Sequence, residues 1–502
     1  MIEILKRQLL MVNGMLKKEK MSSFRYAHVS AVDRKSNAVI FRAFGVEKLT
    51  MDTMVVVSLE DGRILEGEDR ILPKDVHIHL DIYRNFPQIN SIAHVYPKWT
   101  SIYSQSGKSI PVSTTRHAIT LRQEIKCSRD LTQEEINRGF QKTIGTTVVE
   151  AMRENDILDQ GAVLARYDGA IVWGATPLKA LDQAKQLESI ANAAWHMQAL
   201  IGSDEEIGMP QDLADQYFDS LKNEDTTGET LGIPGEEVTA MQERQIGLEM
   251  LIYFDRVCRE HGIKYSLTGG TLLGAIRHSG FIPWDDDVDV FLTRPEFDKL
   301  ESVFDDNARF VYVTRKKEPD FNYVFGRLVD TKTLILEAPN TLSAGKGVFL
   351  DVCVVDGLPN SKFLRDLHIK YMRVLMRCRR ATVQNPAGKS YRRKGVLYVL
   401  AKKVLRLFTD YQFWNRRLEK AMSRYSYEKS EYVGNFTSQY GKRELLHKEV
   451  FDSYIDVPFE GHTFMICAGY HEYLKNIYKK YMSFPEKSKR KGHHPNRAIW
   501  VE

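Results

Sequence analysis

The chain contains few cysteines and no long apolar run. Its five cysteines among 502 residues are scattered, and none of their spacings is typical of a zinc finger or a disulfide framework. This pattern favours reduced thiols and predicts a cytoplasmic protein. No stretch of eighteen apolar residues occurs, so no transmembrane helix is expected. Segment 1–20 lacks the apolar core and cleavage site of a signal peptide, and we expect an amphipathic helix there.

Acidic residues are scarce in one region of the sequence. Residues 361–420 contain 17 lysines or arginines against three acids, although the net charge of the whole chain is only +5. Solvated helix faces are one interpretation, and a surface for anionic ligands or an anionic membrane leaflet is the other. The sequence has no aromatic-interleaved basic motif typical of RNA-binding proteins, so no nucleic-acid partner is expected.

The basic residues of this region are densest around Arg377–Arg380 and at Arg392, Arg393 and Lys394. Basic residues are then interleaved with apolar ones over 402–408, a spacing that suits an amphipathic helix at a membrane interface. We therefore expect peripheral contact with the inner face of a membrane. Region 361–420 should lie on the same side of the protein as the acidic site described below.

The length of the chain and its alternating apolar patterns predict two domains of α/β and α+β class. We place the first domain at 1–205 and the second at 237–502. The intervening segment 206–236 is rich in acids, glycine and proline, and we expect a linker that contains a short helix. The patterns predict helices at 76–85, 176–202 and 211–222, strands near 309–314, 322–329 and 347–355, a hairpin turn at Asp61-Gly62, and mostly helix over 361–427.

Two acids separated by one valine end the run Trp-Asp-Asp-Asp-Val-Asp at 284–289. On a strand, Asp287 and Asp289 would point to the same face, and carboxylates that close repel each other unless a cation neutralises them. Mg²⁺ prefers carboxylate and phosphate oxygens, and it commonly bridges the two. Upstream, Gly269-Gly270 joins a predicted strand to a predicted helix, where backbone N–H groups can bind a phosphate.

A third carboxylate is needed to complete such a metal site. The apolar-acid-apolar run at 349–352 predicts a strand that carries Asp351, and Asp356 is the alternative. The two glycines, the strand–helix–strand order and the late acid favour a phosphoryl-transfer site over an acidic turn that only solvates a strand end.

Segment 269–290, Gly-Gly-Thr-Leu-Leu-Gly-Ala-Ile-Arg-His-Ser-Gly-Phe-Ile-Pro-Trp-Asp-Asp-Asp-Val-Asp-Val, resembles the signature of the LicD family, which includes fukutin and fukutin-related protein. Blocks at 326–333, 347–359 and 473–485 resemble later parts of that family, so the resemblance covers about residues 240–500. It implies a nucleotidyltransferase-like fold and the transfer of phosphocholine or phosphoribitol from a CDP-linked donor to a glycan. The family usually has Gly-Asp where this chain has Lys479-Lys480.

The LicD resemblance also implies roles for single residues, with Mg²⁺ or Mn²⁺ as the cofactor. The metal ligands and catalytic acids would be Asp287, Asp289 and Asp351. The residues that face the donor phosphates would be Gly269, Gly270 and Thr271. The charge partners of a pyrophosphate would be Arg277, Arg327 and Lys442. The residues that reach toward the acceptor would be His493 and His494.

Residues 25–202 resemble the class II aldolase family, most closely L-ribulose-5-phosphate 4-epimerase, through blocks at 28–33, 52–57, 79–87, 92–94 and 161–174. This family binds a divalent metal with three histidines, two from a His-x-His strand and one that precedes a glycine. In this chain His94 keeps the first position, while Tyr96 stands at the second and Asp168 at the third.

An upstream acid of the aldolase family aligns with Asp75, so the resemblance implies a residual divalent metal site of His94, Asp168 and Asp75. Ala27-His28 stands where the family has a phosphate-binding Gly-Asn. We expect this domain to lack ordinary aldolase or epimerase activity and to serve assembly, including homo-oligomers, or sugar-phosphate binding.

The function that the sequence favours is a metal-dependent transferase that moves a phospho-headgroup from a CDP-activated donor to a cell-surface glycan. A cytidylyltransferase that makes the CDP donor from CTP is the first alternative. A sugar-phosphate epimerase or aldolase is the second, and the missing histidines argue against it. A non-catalytic scaffold is the third, and the three acids of the second domain argue against that.

Overall fold

The computed structural model describes residues 1–21, 27–46, 48–153, 161–202, 207–222, 232–285, 287–304, 308–337, 346–382, 408–438, 440–486, 488, 490 and 497–501. The chain divides into two compact units, Met1–Thr227 (unit 1) and Gly228–Glu502 (unit 2). The division falls inside the segment expected to be a linker. The helix expected at 211–222 is present as Gln211–Lys222.

Unit 1 contains seven helices and seven strands among its described residues. The helices are α1 (Ile2–Met15), α2 (Val76–Asn85), α3 (Lys98–Ser106), α4 (Thr115–Leu121), α5 (Gln133–Arg153, broken at Gly139), α6 (Pro177–Ile201) and α7 (Gln211–Lys222), with a 3-10 turn at Met51–Thr53. The strands are β1 (His28–Asp33), β2 (Ala38–Arg42), β3 (Met54–Ser58), β4 (Ile64–Glu66), β5 (Ser91–Val95), β6 (Ala162–Leu164) and β7 (Ala170–Gly174).

The strands of unit 1 form one antiparallel sheet in the order β4-β3-β2-β1-β5-β7-β6. Alternate residues such as Val39, Phe41 and Val55 pack on one face against α2 and α5. Helices α1 and α6 pack against strands of the same sheet. β1, β3 and β5 are buried along their whole length and are rich in apolar and small residues, although β1 and β5 also carry the buried His28 and His94.

Unit 2 has six helices and eleven strands among its described residues. The helices are α8 (Ala240–Glu260), α9 (Gly269–His278), α10 (Arg294–Phe297), α11 (Lys362–Thr382), α12 (Tyr411–Met422) and α13 (Tyr470–Tyr478), with 3-10 turns at Leu300–Ser302, Gly441–Glu444 and Lys448–Phe451. The strands are β8 (Ser266–Leu267), β9 (Asp289–Thr293), β10 (Phe310–Val313), β11 (Gly326–Asp330), β12 (Thr333–Glu337), β13 (Phe349–Gly357), β14 (Tyr432–Gly434), β15 (Leu446–His447), β16 (Tyr454–Phe459), β17 (His462–Cys467) and β18 (Arg497–Trp500).

The long strand β13 is the centre of unit 2. It pairs antiparallel with β11 and β14 and parallel with β9, and β8 pairs with β9. Helix α9 connects β8 to the segment before β9, which is the strand–helix–strand order expected from the sequence. The hairpin of β16 and β17 and the pair of β12 with β18 lie outside this sheet.

One helix is shorter than its sequence pattern predicts. The pattern over 295–304 predicts a helix, but α10 ends at Phe297 and a 3-10 turn follows. Glu301 in that turn accepts hydrogen bonds from Thr314 Oγ1 and Lys316 Nζ, so contacts with the chain just after β10 hold the turn in place. Tertiary contacts of this kind override local helix propensity.

Helix α8 begins with a capping box at Thr239 and Gln242 and packs close to the acidic segment. A Cβ placed on the buried Gly247 would lie 2.8 Å from Val288 Cγ2, and Val288 is the residue between Asp287 and Asp289. Glycine at 247 therefore lets the helix approach the segment that carries both acids.

The substitution Gly247→Ala is expected to destabilise the protein by about 1–3 kcal/mol, because the β-branched Val288 has little freedom to move away. Replacing glycine by alanine in a helix interior normally stabilises a protein. A loss of stability here would therefore indicate a tight contact with Val288. Urea unfolding of this variant should be compared with that of Gln245→Ala, an exposed position on the same helix. Equal or greater stability of Gly247→Ala would show that the approach is not tight.

Candidate functional site

Three acids of unit 2 lie where two parallel strands run side by side. Asp289 and Asp351 are direct register partners in the β9–β13 pair. Asp287 precedes Asp289 by two residues, and the backbone N–H of Asp351 donates to Val288 O at 3.0 Å. Strand pairing therefore brings acids that are 62 residues apart in sequence onto neighbouring strands.

Thr271 holds the acidic segment in place. The Asp289 backbone N–H donates to Thr271 Oγ1 at 2.9 Å, and that hydroxyl donates to Asp287 O at 3.3 Å. The Thr268 N–H adds a bond to Asp289 O at 3.0 Å. Thr271 was expected to face the donor phosphates, but its buried side chain is used to connect α9 with β9.

The paired glycines bring α9 close to two carboxylates. A Cβ on Gly269, whose φ is +53°, would lie 3.3 Å from Asp289 Oδ2, and a Cβ on Gly270 would lie 2.0 Å from Asp285 Oδ2. Any larger residue at 270 would displace Asp285. The glycines thus let the positive end of the helix approach the acids as well as a ligand.

A cavity of about 420 Å³ opens between α9, the acidic segment and the C-terminal part of unit 2. It contains both glycines and two of the three expected metal ligands, so the structure brings these predicted residues together. The residues that line the cavity are Gly269, Gly270, Leu273, Arg277, Ile282, Trp284, Asp285, Asp287, Asp289, Tyr440, Tyr478, Lys480, Tyr481, Ser483 and Pro485.

Asp289 lies among other negative charges. Burial raises the pKa of Asp289 well above its usual range, and the charges of Asp351, Asp287 and Asp285 raise it further. Arg327, which is ion-paired with Asp351, offsets only part of this. A set of close carboxylate oxygens beside a cavity is the donor chemistry that Mg²⁺ or Mn²⁺ takes, so these residues fit a divalent cation.

The three basic residues expected to bind a pyrophosphate have different surroundings. Arg277 is buried, lines the cavity and donates to the carbonyl oxygens of Tyr481 and Ser483. Burial lowers its pKa to about 10, so it stays charged at neutral pH. Arg327 is ion-paired with Asp351, one of the expected metal ligands. Lys442 bonds Asp366 at 2.7 Å, does not line this cavity and is half-exposed, contrary to the expectation.

Asp356, the alternative third acid, is at the other end of β13. It makes a two-pronged ion pair with Arg294 at 2.7 and 3.0 Å and is buried. Residues five apart on a strand point to opposite faces, so Asp356 cannot join Asp351. His493 and His494 lie outside the described residues, as do Arg392, Arg393 and Lys394.

Sequence reasoning missed several residues of the cavity. Asp285 belongs to the same acidic run as Asp287, and that run was the signal that could have identified it. Tyr478 and Lys480 lie in the C-terminal block that resembles the LicD family, but nothing in the local pattern shows that they face the acids. Tyr440 donates to or accepts from Tyr478 at 2.9 Å between the hydroxyl groups, and together they form one wall.

A second cluster of titratable side chains lies in unit 1, where the residual metal site was expected. His94 is fully buried between two carboxylates, with Nδ1 2.5 Å from Asp75 Oδ2 and Nε2 3.4 Å from Asp168 Oδ2. The ring of Tyr96 lies 4.9 Å from that of His94, centroid to centroid. The structure therefore brings the expected trio together.

Charges in this trio compensate one another. Burial by itself lowers the pKa of His94, but the carboxylates of Asp168 and Asp75 outweigh it and raise that pKa to about 10. Burial by itself raises the pKa of Asp75, but the charges of His28 and His94 outweigh it and hold that pKa well below its usual range. His94 is therefore an imidazolium whose Nδ1 donates to Asp75 and whose Nε2 lies at ion-pair distance from Asp168.

Two further histidines complete the cluster, and sequence reasoning did not identify them. His28 Nε2 lies 3.7 Å from Asp75 Oδ1, and the ring of His79 stacks on that of His28 at 4.7 Å. His79 is on α2, four residues after Asp75, and His28 is at the start of β1. The i, i+4 spacing of Asp75 and His79 was the available signal.

Among the described residues, no helix has both the length and the apolar character needed to cross a bilayer.

Comparisons with known proteins agree with this division into two units. Residues 7–195 match the family described as class II aldolase and adducin N-terminal domain. Residues 262–372 match the family described as LicD/FKTN/FKRP, nucleotidyltransferase domain. The chain thus joins an aldolase-II-type unit to a nucleotidyltransferase-type unit, as its sequence predicted.

A curated relative extends the second match. Over 271 residues the chain is 32% identical to the lipopolysaccharide cholinephosphotransferase LicD of Haemophilus influenzae. The aligned region covers 52% of this chain and 98% of the relative. The chain belongs to the LicD family.

Solved structures also resemble the chain. An L-fuculose 1-phosphate aldolase is 17% identical, with a TM-score of 0.37, over 43% of this chain and 96% of the aldolase. The L-fuculose-1-phosphate aldolase of Thermus thermophilus is 21% identical, with a TM-score of 0.32, over 41% and 100% of the two chains.

The raised pKa of Asp289 predicts a pH effect on stability. Its carboxyl group holds a proton in the folded, metal-free protein at pH values where the unfolded chain has lost it. The stabilisation is therefore complete at low pH and is lost as pH rises toward the folded pKa. In EDTA, Asp289→Asn should melt at a higher temperature than the wild type at about pH 8, with a smaller difference at about pH 4.

Circular dichroism melts of both proteins at the two pH values test this. Addition of Mg²⁺ should raise the melting temperature of the wild type and leave Asp289→Asn nearly unchanged, because binding to the native state alone stabilises it. A variant less stable than the wild type in EDTA at the higher pH would show that the acids do not repel one another.

Proposed function

We propose that unit 2 is a divalent-metal-dependent transferase that moves a phospho-headgroup from a CDP-activated donor to a cell-surface glycan. The observation that carries this proposal is the placement of Asp289 beside Asp351 on parallel strands, at a cavity that also receives the N-terminus of α9. Membership of the LicD family supports this class of reaction. The name of the Haemophilus influenzae relative specifies a choline-phosphate group and lipopolysaccharide.

The residues of the cavity divide the work of such a transfer. Asp287, Asp289 and Asp351 would hold the cation, and a bound cation would neutralise phosphate oxygens and the CMP leaving group. The N–H groups in the first turn of α9 would face the donor phosphates. An acceptor hydroxyl would attack the β-phosphorus in line as the bond from that phosphorus to CMP breaks. Arg277 would supply a fixed positive charge at the cavity wall.

Phosphocholine is the headgroup that the cavity favours. Four aromatic rings line it, those of Trp284, Tyr440, Tyr478 and Tyr481. Aromatic faces attract a quaternary ammonium by cation–π interaction, and they offer nothing comparable to an uncharged polyol. The guanidinium of Arg490 lies 5.1 Å from the centre of the Trp284 ring, so a choline ammonium at that ring would take the place of an arginine that already makes a cation–π contact.

A panel of donors tests the proposal and its first alternative. CMP release in the presence of Mg²⁺ and lipopolysaccharide should be fastest with CDP-choline and slower with CDP-ribitol or CDP-glycerol. Formation of CDP-choline and pyrophosphate from CTP and phosphocholine would instead identify a cytidylyltransferase. A sugar-phosphate aldolase or epimerase is not proposed, because Tyr96 and Asp168 stand at two of the three family histidine positions. The homo-oligomer expected through unit 1 stays a prediction.

Asp289→Asn should lower the rate of CMP release roughly a thousandfold, because losing the cation removes several kcal/mol of transition-state stabilisation. The same variant is expected to remain folded, so the loss would be chemical. Asp298→Asn, at an exposed aspartate near the C-terminal end of β9, is the matched control and should keep the wild-type rate. Equal rates for the two variants would contradict the assignment of the acids.

We also propose that α11 brings the enzyme to an anionic membrane surface. Its buried face packs through Ile369, Met372 and Leu375. On another face, apolar side chains at helical spacing are exposed; they are Phe363, Leu364, Leu367, Tyr371 and Val374. The exposed charges of this helix are almost all basic; they are Lys362, Lys370, Arg373, Arg377 and Arg380. An apolar stripe beside basic residues suits the headgroup region of an anionic leaflet.

Co-sedimentation with vesicles tests the membrane proposal. Binding should require anionic lipid and weaken with salt, and the double substitution of Phe363→Asp and Leu367→Asp should abolish it. Met241→Asp, at an exposed apolar residue on α8, is the matched control and should bind as the wild type does. No binding to anionic vesicles at low salt would show that α11 has no membrane role.

A further inference from the structure

The histidine cluster of unit 1, defined as His28, Asp75 and His79, has the geometry of a metal site. One ligand atom from each residue can be chosen so that the three atoms lie within 4.8 Å of one another. Both histidines are buried, and the side chain of Asp75 is 18% exposed, so the cluster opens toward solvent at the carboxylate. A cation therefore has an entry path.

His79 supplies the strongest observation. Its Nδ1 lies 2.7 Å from Ser30 Oγ, which in turn lies 2.8 Å from the hydroxyl of Tyr83. Its Nε2 is buried and has no hydrogen-bond partner. A buried polar atom of this kind is costly unless a ligand satisfies it. A metal-binding histidine usually binds the metal through one ring nitrogen and donates a hydrogen bond to a neighbouring group from the other.

The trio expected from the aldolase resemblance is less suited to hold a metal. His94 faces carboxylates with both ring nitrogens, toward Asp75 at 2.5 Å and toward Asp168 at 3.4 Å. The hydrogen bond to Asp75 engages Nδ1, and Nε2 lies at ion-pair distance from Asp168. The same hydrogen bond also fixes the orientation of Asp75, whose other oxygen, Oδ1, faces His28.

We propose that unit 1 binds a divalent transition metal of the zinc class through His28 Nε2, Asp75 Oδ1 and His79 Nε2. His94 positions Asp75, and neither His94 nor Asp168 binds the metal. Ser30 positions His79. Two imidazoles and one carboxylate suit Zn²⁺, Co²⁺ or Mn²⁺, whereas Mg²⁺ prefers oxygen ligands alone. The site is independent of the transferase proposed for unit 2, which uses carboxylates only.

X-ray absorption spectroscopy of the full, untagged chain loaded with Zn²⁺ is the primary test. Excess Mg²⁺ would be included to occupy carboxylate sites in unit 2. The expected zinc spectrum contains scattering from two imidazoles and additional oxygen ligands. A single imidazole would overturn the proposal in favour of the trio of His94, Asp75 and Asp168. Failure to retain about one zinc per chain after desalting would overturn any site in unit 1.

Substitutions provide the second test, with zinc content measured by mass spectrometry. His28→Ala and His79→Ala should each lose one equivalent of Zn²⁺ relative to the wild type. His77→Ala, at an exposed histidine on the same helix as His79, is the matched control and should lose none. Asp168→Asn should also retain the metal, and its loss there would contradict the ligand set.

A milder variant covers the case in which a buried histidine cannot be removed without unfolding. Ser30→Ala leaves all three ligands in place and removes only the hydroxyl that orients His79. It should weaken Zn²⁺ binding about 10–100-fold, as loss of an outer hydrogen bond to a ligand typically does. Unchanged affinity in Ser30→Ala, with a normal melting curve, would argue against His79 as a ligand.

Discussion

Repulsion among partly buried carboxylates is the constraint on which the site of unit 2 depends. Asp289 lies beside Asp351 on the neighbouring strand and close to Asp287 and Asp285, and burial strengthens their mutual repulsion. The pKa of Asp289 stays raised even though Arg327 lies close and is ion-paired with Asp351. The protein tolerates this arrangement because strand pairing, the Thr271 hydroxyl and the close approach of α8 at Gly247 hold the backbone in place. In the function proposed for unit 2, a bound cation would relieve this repulsion.

Unit 1 handles a similar concentration of charge differently. Asp75 and Asp168 both contact His94, and the protonated ring of His94 lies between the two carboxylates. The charge is thereby neutralised within the protein, and Asp75 stays ionised. What this cluster lacks is a partner for the buried Nε2 of His79. The two proposals therefore assign a cation bound by oxygen atoms to unit 2 and a cation bound mainly by nitrogen atoms to unit 1.

The site of unit 2 depends on a glycine and a threonine as well as on its charged residues. Gly270 leaves room for the Asp285 carboxylate, and Thr271 ties the helix to the acidic segment. Both residues belong to the clearest motif of the sequence. Gly270 lines the cavity as expected, whereas the Thr271 side chain holds the acidic segment instead of facing the cavity. The motif packs a helix against acids and places the N-terminus of that helix at the cavity.

The sequence alone determined the two domain types, the positions of most helices and strands, and the identity of the acidic motif, because these depend on local periodicity and on short motifs. It could also propose Asp351, since an acid in an apolar strand is unusual. Only the tertiary structure decided between Asp351 and Asp356, because strand register and facing depend on which strands pair. It alone brought Tyr440 and Tyr478 to the cavity and His28 to His79, since these contacts join residues far apart in sequence. Periodicity records whether a side chain is buried, but not which distant side chain it meets.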